Sequence, residues 1–151
     1  MNQWSTTEEI LDFAIENEEL AAKFYGDLSK KANDAAMKAT FADMAREEIG
    51  HKKKLEEFKA TGKLEPSKDK ILDLKISDYL VDVEVSDSME YQDVLILAMK
   101  REKAAFKLYK DMAAASRDPE LKEVLLGLAQ EEAKHKLHFE IEYDDQELRH
   151  N

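Results

Sequence analysis

The chain has 151 residues and a formal net charge of -11, from 34 acidic and 23 basic side chains. That length supports one domain with a hydrophobic core and is too short for two. No cysteine is present, which excludes disulfide scaffolds, thiolate zinc sites, iron–sulfur clusters and cysteine nucleophiles, and leaves any redox chemistry to N and O ligands. The acidic balance argues against nucleic acid as a partner, since no basic face offsets the repulsion. No apolar run approaches the ~20 residues of a membrane span. The opening Met1-Asn2-Gln3-Trp4 lacks the basic and apolar regions of a secretion signal. The expectation is a soluble, cytoplasmic, single-domain protein.

Only 4 Gly and 2 Pro interrupt a chain rich in Ala, Glu, Lys and Leu, and the apolar spacing is helical throughout most of it. The first helix is expected to open near Ser5-Thr6-Thr7-Glu8-Glu9, where Ser5 with Glu8 or Thr6 with Glu9 spells a capping box, and to reach about Lys31. Asn33-Asp34 reads as a turn and N-cap for a second helix, which Thr61-Gly62 stops after about Ala60. Residues 62–88 hold Pro66 and a mixed apolar pattern and read as a crossover connection with room for a short helix. The third helix is expected from about Met89 to Ser116. Asp118-Pro119, an N-cap followed by proline at the first helical position, opens a fourth that runs to about Asp144. The last residues, from Glu147, are expected to fray. Two short-loop hairpins joined by one long connection describe an all-α four-helix bundle.

The chain repeats itself at an offset of 84 residues, relating 11–58 to 95–142. Leu11, Ala14, Glu18, Ala21, Tyr25 and Leu28 match Leu95, Ala98, Glu102, Ala105, Tyr109 and Met112. Phe41, Met44, Glu48, His51 and Leu55 match Leu125, Leu128, Glu132, His135 and Phe139. The steps alternate three and four, the spacing of an inward-facing seam. Glu18, Glu48, His51, Glu102, Glu132 and His135 therefore fall on stripes that should be buried. Four uncompensated carboxylates in one small core would cost several kcal/mol each, so something must neutralise them.

Heights along the helices agree. Glu18 and Glu48 each lie 15 residues from Asn33 at the first turn, and Glu102 and Glu132 each lie 15 residues from Arg117 beside the second. In an antiparallel hairpin, equal distance from the turn means equal height. Glu48-x-x-His51 and Glu132-x-x-His135 put both side chains of each pair on one helix face. Two lone glutamates with two Glu-x-x-His pairs make the ligand set of di-iron and di-manganese bundles. Four carboxylates balance two divalent cations, and the O/N donor mixture suits iron or manganese, tolerates zinc and disfavours Cu(I). A single Glu-x-x-His is usually a solvated face; it is the doubled, in-register set that points to metal. Tyr25 and Tyr109, seven residues beyond Glu18 and Glu102, read either as core aromatics or as phenols that hydrogen-bond a ligand carboxylate. His138, His150 and Lys52-Lys53-Lys54 read as surface residues, and Trp4 as an undecided packing anchor.

The pattern Glu18-x-x-Ala21-x-x-Phe24-Tyr25, then Glu48-x-x-His51, repeated as Glu102-x-x-Ala105-x-x-Leu108-Tyr109 and Glu132-x-x-His135, resembles the rubrerythrin branch of the ferritin-like superfamily. The resemblance implies a ferritin-like bundle in which Glu48 and Glu132 bridge two iron ions, Glu18 and His51 cap one, and Glu102 and His135 the other. Two departures stand out. Rubrerythrins proper carry a four-cysteine rubredoxin domain, for which this chain has no cysteine. They also carry an extra glutamate where this chain has Ala105.

The function this implies is a non-haem di-iron oxidoreductase that reduces hydrogen peroxide or dioxygen in oxidative-stress defence, with electrons from a separate donor such as a rubredoxin. The alternatives are a ferroxidase or iron-storage protein, and a bundle stapled by a redox-inert metal. Pairing of long helices in this superfamily implies a homodimer, with residues 71–85 as one candidate for the interface.

Overall fold

The computed structural model describes residues 7–61 and 90–150. Among them are four helices and no strand: α1 (Thr7–Lys31), α2 (Ala35–Thr61), α3 (Tyr91–Ala115) and α4 (Pro119–His150). The chain divides into two compact units, Met1–Leu74 and Lys75–Asn151. Each contains one hairpin, α1 with α2 and α3 with α4. The expected capping boxes at Ser5 and Thr6, the packing of Trp4 and the connection 62–88 lie outside the described residues.

In the first unit the chain turns at residues 32–34. Ala32 N–H still donates to the Leu28 carbonyl at 3.0 Å, closing α1. Asp34 then accepts from the Ala36 N–H at 2.7 Å, and its own carbonyl accepts from Lys38 at 2.9 Å. Asp34 is thus the N-cap of α2, satisfying an otherwise orphaned donor of the first turn. Lys38 reaches back across the turn: its Nζ donates to the Lys30 carbonyl at 3.1 Å while Ser29 Oγ donates to the Lys38 carbonyl at 2.6 Å. A cation thereby sits on the carbonyl end of α1, where the helix dipole favours it. Further along, Lys52 pairs with Glu19 at 3.4 Å, and Lys59 pairs with Asp12. Partner numbers fall along α1 as they rise along α2, the mark of an antiparallel pair. The Asp12 hydrogen bond raises the Lys59 ammonium pKa above its usual range.

The second unit repeats the scheme. Ser116 ends α3, donating its N–H to the Ala113 carbonyl at 3.2 Å, and Asp118 caps α4 by accepting from Glu120 at 3.0 Å. Pro119 occupies the first helical position, where a missing N–H costs nothing. Helix α3 begins at Tyr91, two residues later than the spacing suggested, because Glu90 is extended (φ -72°, ψ 158°) and serves as its N-cap.

Helix α4 does not end near Asp144 or fray from Glu147; it runs on to His150. No glycine or proline interrupts 144–150, and contacts one turn apart carry the helix past the end of the apolar seam. Gln146 donates to Glu142 at 2.9 Å. Glu147, one turn beyond Tyr143, pushes the phenol above its ordinary range, with smaller contributions in the same direction from Asp93 on α3 and from Asp144.

The core follows the repeat. Leu11, Tyr25, Phe41 and Leu55, and their partners Leu95, Tyr109, Leu125 and Phe139, are among the largest fully buried side chains. Phenylalanine and leucine swap ends between the copies, Phe41 and Leu55 against Leu125 and Phe139, so each hairpin buries the same volume at these positions. Ile10, Phe24, Val94, Leu97 and Leu108 widen the stripe beyond the two seam positions, as an ordinary globular helix requires. Replacing Asp118 by alanine should lower the stability of the metal-free protein by ~1 kcal/mol, about 2–4 °C in melting temperature. Thermal unfolding followed by circular dichroism checks this; an unchanged midpoint would remove Asp118 from its capping role.

Candidate metal centre

Six polar side chains lie in the apolar stripes. In the first unit α1 contributes Glu18, and α2 contributes Glu48 and His51. In the second, α3 contributes Glu102, and α4 contributes Glu132 and His135. Their relative exposures run from 1% to 5%, values at which an ionised group needs a compensating charge or ligand.

Within the first hairpin, Glu18, Glu48 and His51 each offer a ligand atom within 4.8 Å of the others. His51 Nδ1 lies 3.4 Å from Glu18 Oε2 and 3.6 Å from Glu48 Oε1. Within the second, Glu102, Glu132 and His135 meet the same 4.8 Å criterion, and His135 Nδ1 lies 3.8 Å from Glu102 Oε2. The two triads are counterparts, residue for residue, at the offset of 84.

These separations exceed a good N–H···O hydrogen bond, whose usual length is about 2.7–3.2 Å. They suit a shared ion. Two ligand atoms about 2.1 Å from one cation stand about 3.0–3.6 Å apart at angles between about 90° and 120°, and farther apart as the angle opens. The same nitrogen of each histidine faces the carboxylates, as a common centre demands. Each triad carries two carboxylates and a neutral-capable imidazole, so one divalent cation per triad cancels its charge. The donor set of hard oxygens with borderline nitrogens fits iron, manganese or zinc.

All six residues that the sequence marks as ligands are therefore buried, and the structure assembles them three to a hairpin. Tyr25 and Tyr109 are each 1% exposed. Phe24 meets Tyr25 edge-on at 5.5 Å between centroids. His138, Lys53 and Lys54 are exposed as expected, whereas Lys52 is half-buried against Glu19. One buried acid escaped the sequence reading. Glu142, 5% exposed, sits seven residues beyond His135, and continuing the three–four step past Phe139 would have found it.

Among the described residues no helix is both long and apolar enough to cross a membrane. The sequence model of the family described as Rubrerythrin matches residues 9–143. No curated protein matches the chain. Among solved structures, a Thermotoga maritima protein described as a ferritin-like diiron-carboxylate protein superposes with a TM-score of 0.85 at 18% identity, over 97% of this chain and 99% of that one. A hypothetical protein from Pyrococcus furiosus superposes with a TM-score of 0.68 at 27% identity, over 91% of this chain and 87% of that one.

Adding a divalent ion to metal-free protein should raise its melting temperature. A free-metal concentration of a hundred times Kd corresponds to about 2.7 kcal/mol, or about 5–10 °C for a chain of this size. Differential scanning calorimetry with Fe(II), Mn(II) and Zn(II), reversed by chelator, measures the shift, and His51→Ala should remove much of it. Identical curves with and without metal would mean that the triads hold no ion.

Proposed function

The chain belongs to the rubrerythrin family, and from that premise we propose that it is a non-haem di-iron oxidoreductase that reduces hydrogen peroxide or dioxygen with electrons from a separate donor. Its fold is the ferritin-like one, with four helices in two antiparallel hairpins. The observation that carries the proposal is the pair of matched, buried Glu/Glu/His triads. In this reading Glu18, Glu48 and His51 would hold one metal ion and Glu102, Glu132 and His135 a second. Two ferrous ions held there supply the two electrons that, with two protons, convert one hydrogen peroxide to two waters.

The chain's own residues do the rest. Burial of Glu18, Glu48, Glu102 and Glu132 at 1–2% exposure keeps bulk water from the carboxylates and raises the strength of every charge interaction there. Each histidine presents Nδ1 to its carboxylates, so Nε2 remains for an outer partner that fixes the ring's tautomer and tilt. Tyr25 and Tyr109, buried seven residues from Glu18 and Glu102, are proposed to donate their hydroxyl protons to ligand carboxylates. Iron is preferred to manganese or zinc because the proposed reaction needs a metal that changes valence. These 151 residues include no cysteine, and a rubredoxin is the proposed electron donor. The compartment proposed is the cytoplasm.

A second reading is favoured by one feature. Position 105 is alanine, as is its counterpart 21, which leaves a symmetric six-residue ligand set, and a ferroxidase with iron storage also suits such a set. Anaerobic titration of metal-free protein with Fe(II), followed by mixing with peroxide or with dioxygen, separates the readings. We expect two irons per chain, with fast oxidation by peroxide and slow oxidation by air. Fast oxidation by air with continued iron uptake would replace the peroxidase by a ferroxidase, and two inert irons would leave a metal-stapled bundle. Glu48→Ala and Glu132→Ala should each bind fewer than two equivalents; two retained by either variant would exclude that residue as a metal ligand.

A further inference from the structure

Net charge alone suggests that no face of this chain is basic, and the outer side of α3 contradicts it. Helix α3 turns Leu95, Ala98, Glu102 and Tyr109 inward. At 100° per residue, Lys100, Lys103, Lys107 and Lys110 fall on the other side, within an arc of about 80°. All four are exposed. The remaining members of that arc, Gln92, Ile96 and Ala114, are uncharged, so no acid shares it. Like charges three and four residues apart repel one another and weaken a helix. The stripe therefore does not serve the stability of α3.

The internal repeat provides a control. On α1, the counterparts of Ile96, Lys100 and Lys103 are Asp12, Glu16 and Glu19. Two of these acids tie the first hairpin together: Asp12 pairs with Lys59, and Glu19 pairs with Lys52 at 3.4 Å. The counterparts of those ion pairs are Ile96 with Tyr143 and Lys103 with Lys136. Neither combination can pair opposite charges, and Lys136 turns to Glu140 on its own helix at 2.8 Å. The same helix face is thus acidic in one copy and basic in the other, under one fold.

The shape of the stripe selects what it can receive. From Lys100 to Lys110 is ~15 Å along the axis, and the lysines stand in a row rather than around a point. Their complement is a row of carboxylates on a folded surface, not one small anion. Asp93 and Asp111 bound the stripe toward the two ends of α3. A nucleic acid or an anionic membrane, whose charge continues past any such boundary, would run onto those acids. Charges farther away than the ~8 Å screening length of physiological salt count for little. A partner touching α3 therefore meets the stripe rather than the net charge of -11. Lys107 lies 3.1 Å from Asp111, an exposed pair that is readily exchanged. Lys110 stands 5.4 Å from the centre of the Phe106 ring, which sets a half-buried aromatic beside the cations.

We propose that the outer face of α3 is the docking surface for the electron donor, a one-electron carrier protein whose acidic surface is received by Lys100, Lys103, Lys107 and Lys110. This rests on the di-iron reading above. Glu102 lies on the same helix between Lys100 and Lys103, turned inward, so only the thickness of one helix, ~10–12 Å, separates a docked donor from its carboxylate. Each docked donor gives up one electron and is oxidised by one, so two successive dockings supply the two electrons that one peroxide takes up with two protons. The first donor has to leave before the second arrives, which suits a small, salt-sensitive contact.

Calorimetric titration of the full chain with an acidic rubredoxin, at about 50 and about 200 mM salt, tests the surface without any turnover. We expect one donor bound per chain, with Kd rising about fivefold between the two salt concentrations. Lys103→Glu/Lys107→Glu should raise Kd about tenfold or more. Lys23→Glu/Lys30→Glu, the same charge change on exposed lysines of α1, should leave it within about twofold. Stopped-flow oxidation of the Fe(II)-loaded stripe variant by peroxide should match wild type, because these lysines act on docking alone. No binding, an equal loss in both double variants, or a short DNA duplex or phosphatidylserine vesicle held more tightly than rubredoxin would overturn the proposal, and peroxide oxidation that persists would leave the peroxidase reading standing. Binding that depends on the stripe, in a protein whose iron peroxide does not oxidise, would uphold the docking surface and reject the peroxidase.

Discussion

Four buried carboxylates organise this molecule. Each alone, in an apolar stripe, is a liability of several kcal/mol. They recur at one height in each hairpin, always with a histidine three residues after the glutamate of the second helix. A charge that expensive is tolerated only where something cancels it, and each Glu/Glu/His triad is built to be cancelled by one divalent cation. The hairpin geometry serves that end. The Asp34 and Asp118 caps fix the turns, the turns fix the register, and the register brings Glu18 level with His51 and Glu102 level with His135. An error of one residue in either turn would rotate the acids about 100° out of the seam.

This dependence explains why the site was more legible in the sequence than the helix ends were. Seam spacing is a long-range signal, repeated over five or six turns in four helices, and the six ligands are conspicuous because they break it. The positions of Asp34, Asp118 and Pro119 carry a similarly strong local signal, and the structure places the caps on them. The end of α4 had no comparable mark. Past Asp144 the apolar seam stops but no residue forbids a helix, and one-turn contacts among Glu142, Tyr143, Gln146 and Glu147 continue it. Tertiary periodicity reports what a helix packs against, not how far it runs. Glu142 was hidden for a related reason: its repeat counterpart is Phe58, so a comparison that seeks matching residues passes over it.

The repeat is most informative where it fails. Matched positions, such as Leu11 and Leu95 or Tyr25 and Tyr109, report what both hairpins need: a core and half of a ligand set. Unmatched positions occur in both pairs of helices, as Asp12 against Ile96 and Glu16 against Lys100 show, and three of them change the character of α4. Phe58 becomes Glu142, Lys53 becomes Leu137 and Glu57 becomes Ile141. The inner face of the helix gains a carboxylate, and the outer face gains apolar surface. Two hairpins under the same folding constraint keep the ligand positions and most of the core, and diverge where neither holds a side chain fixed.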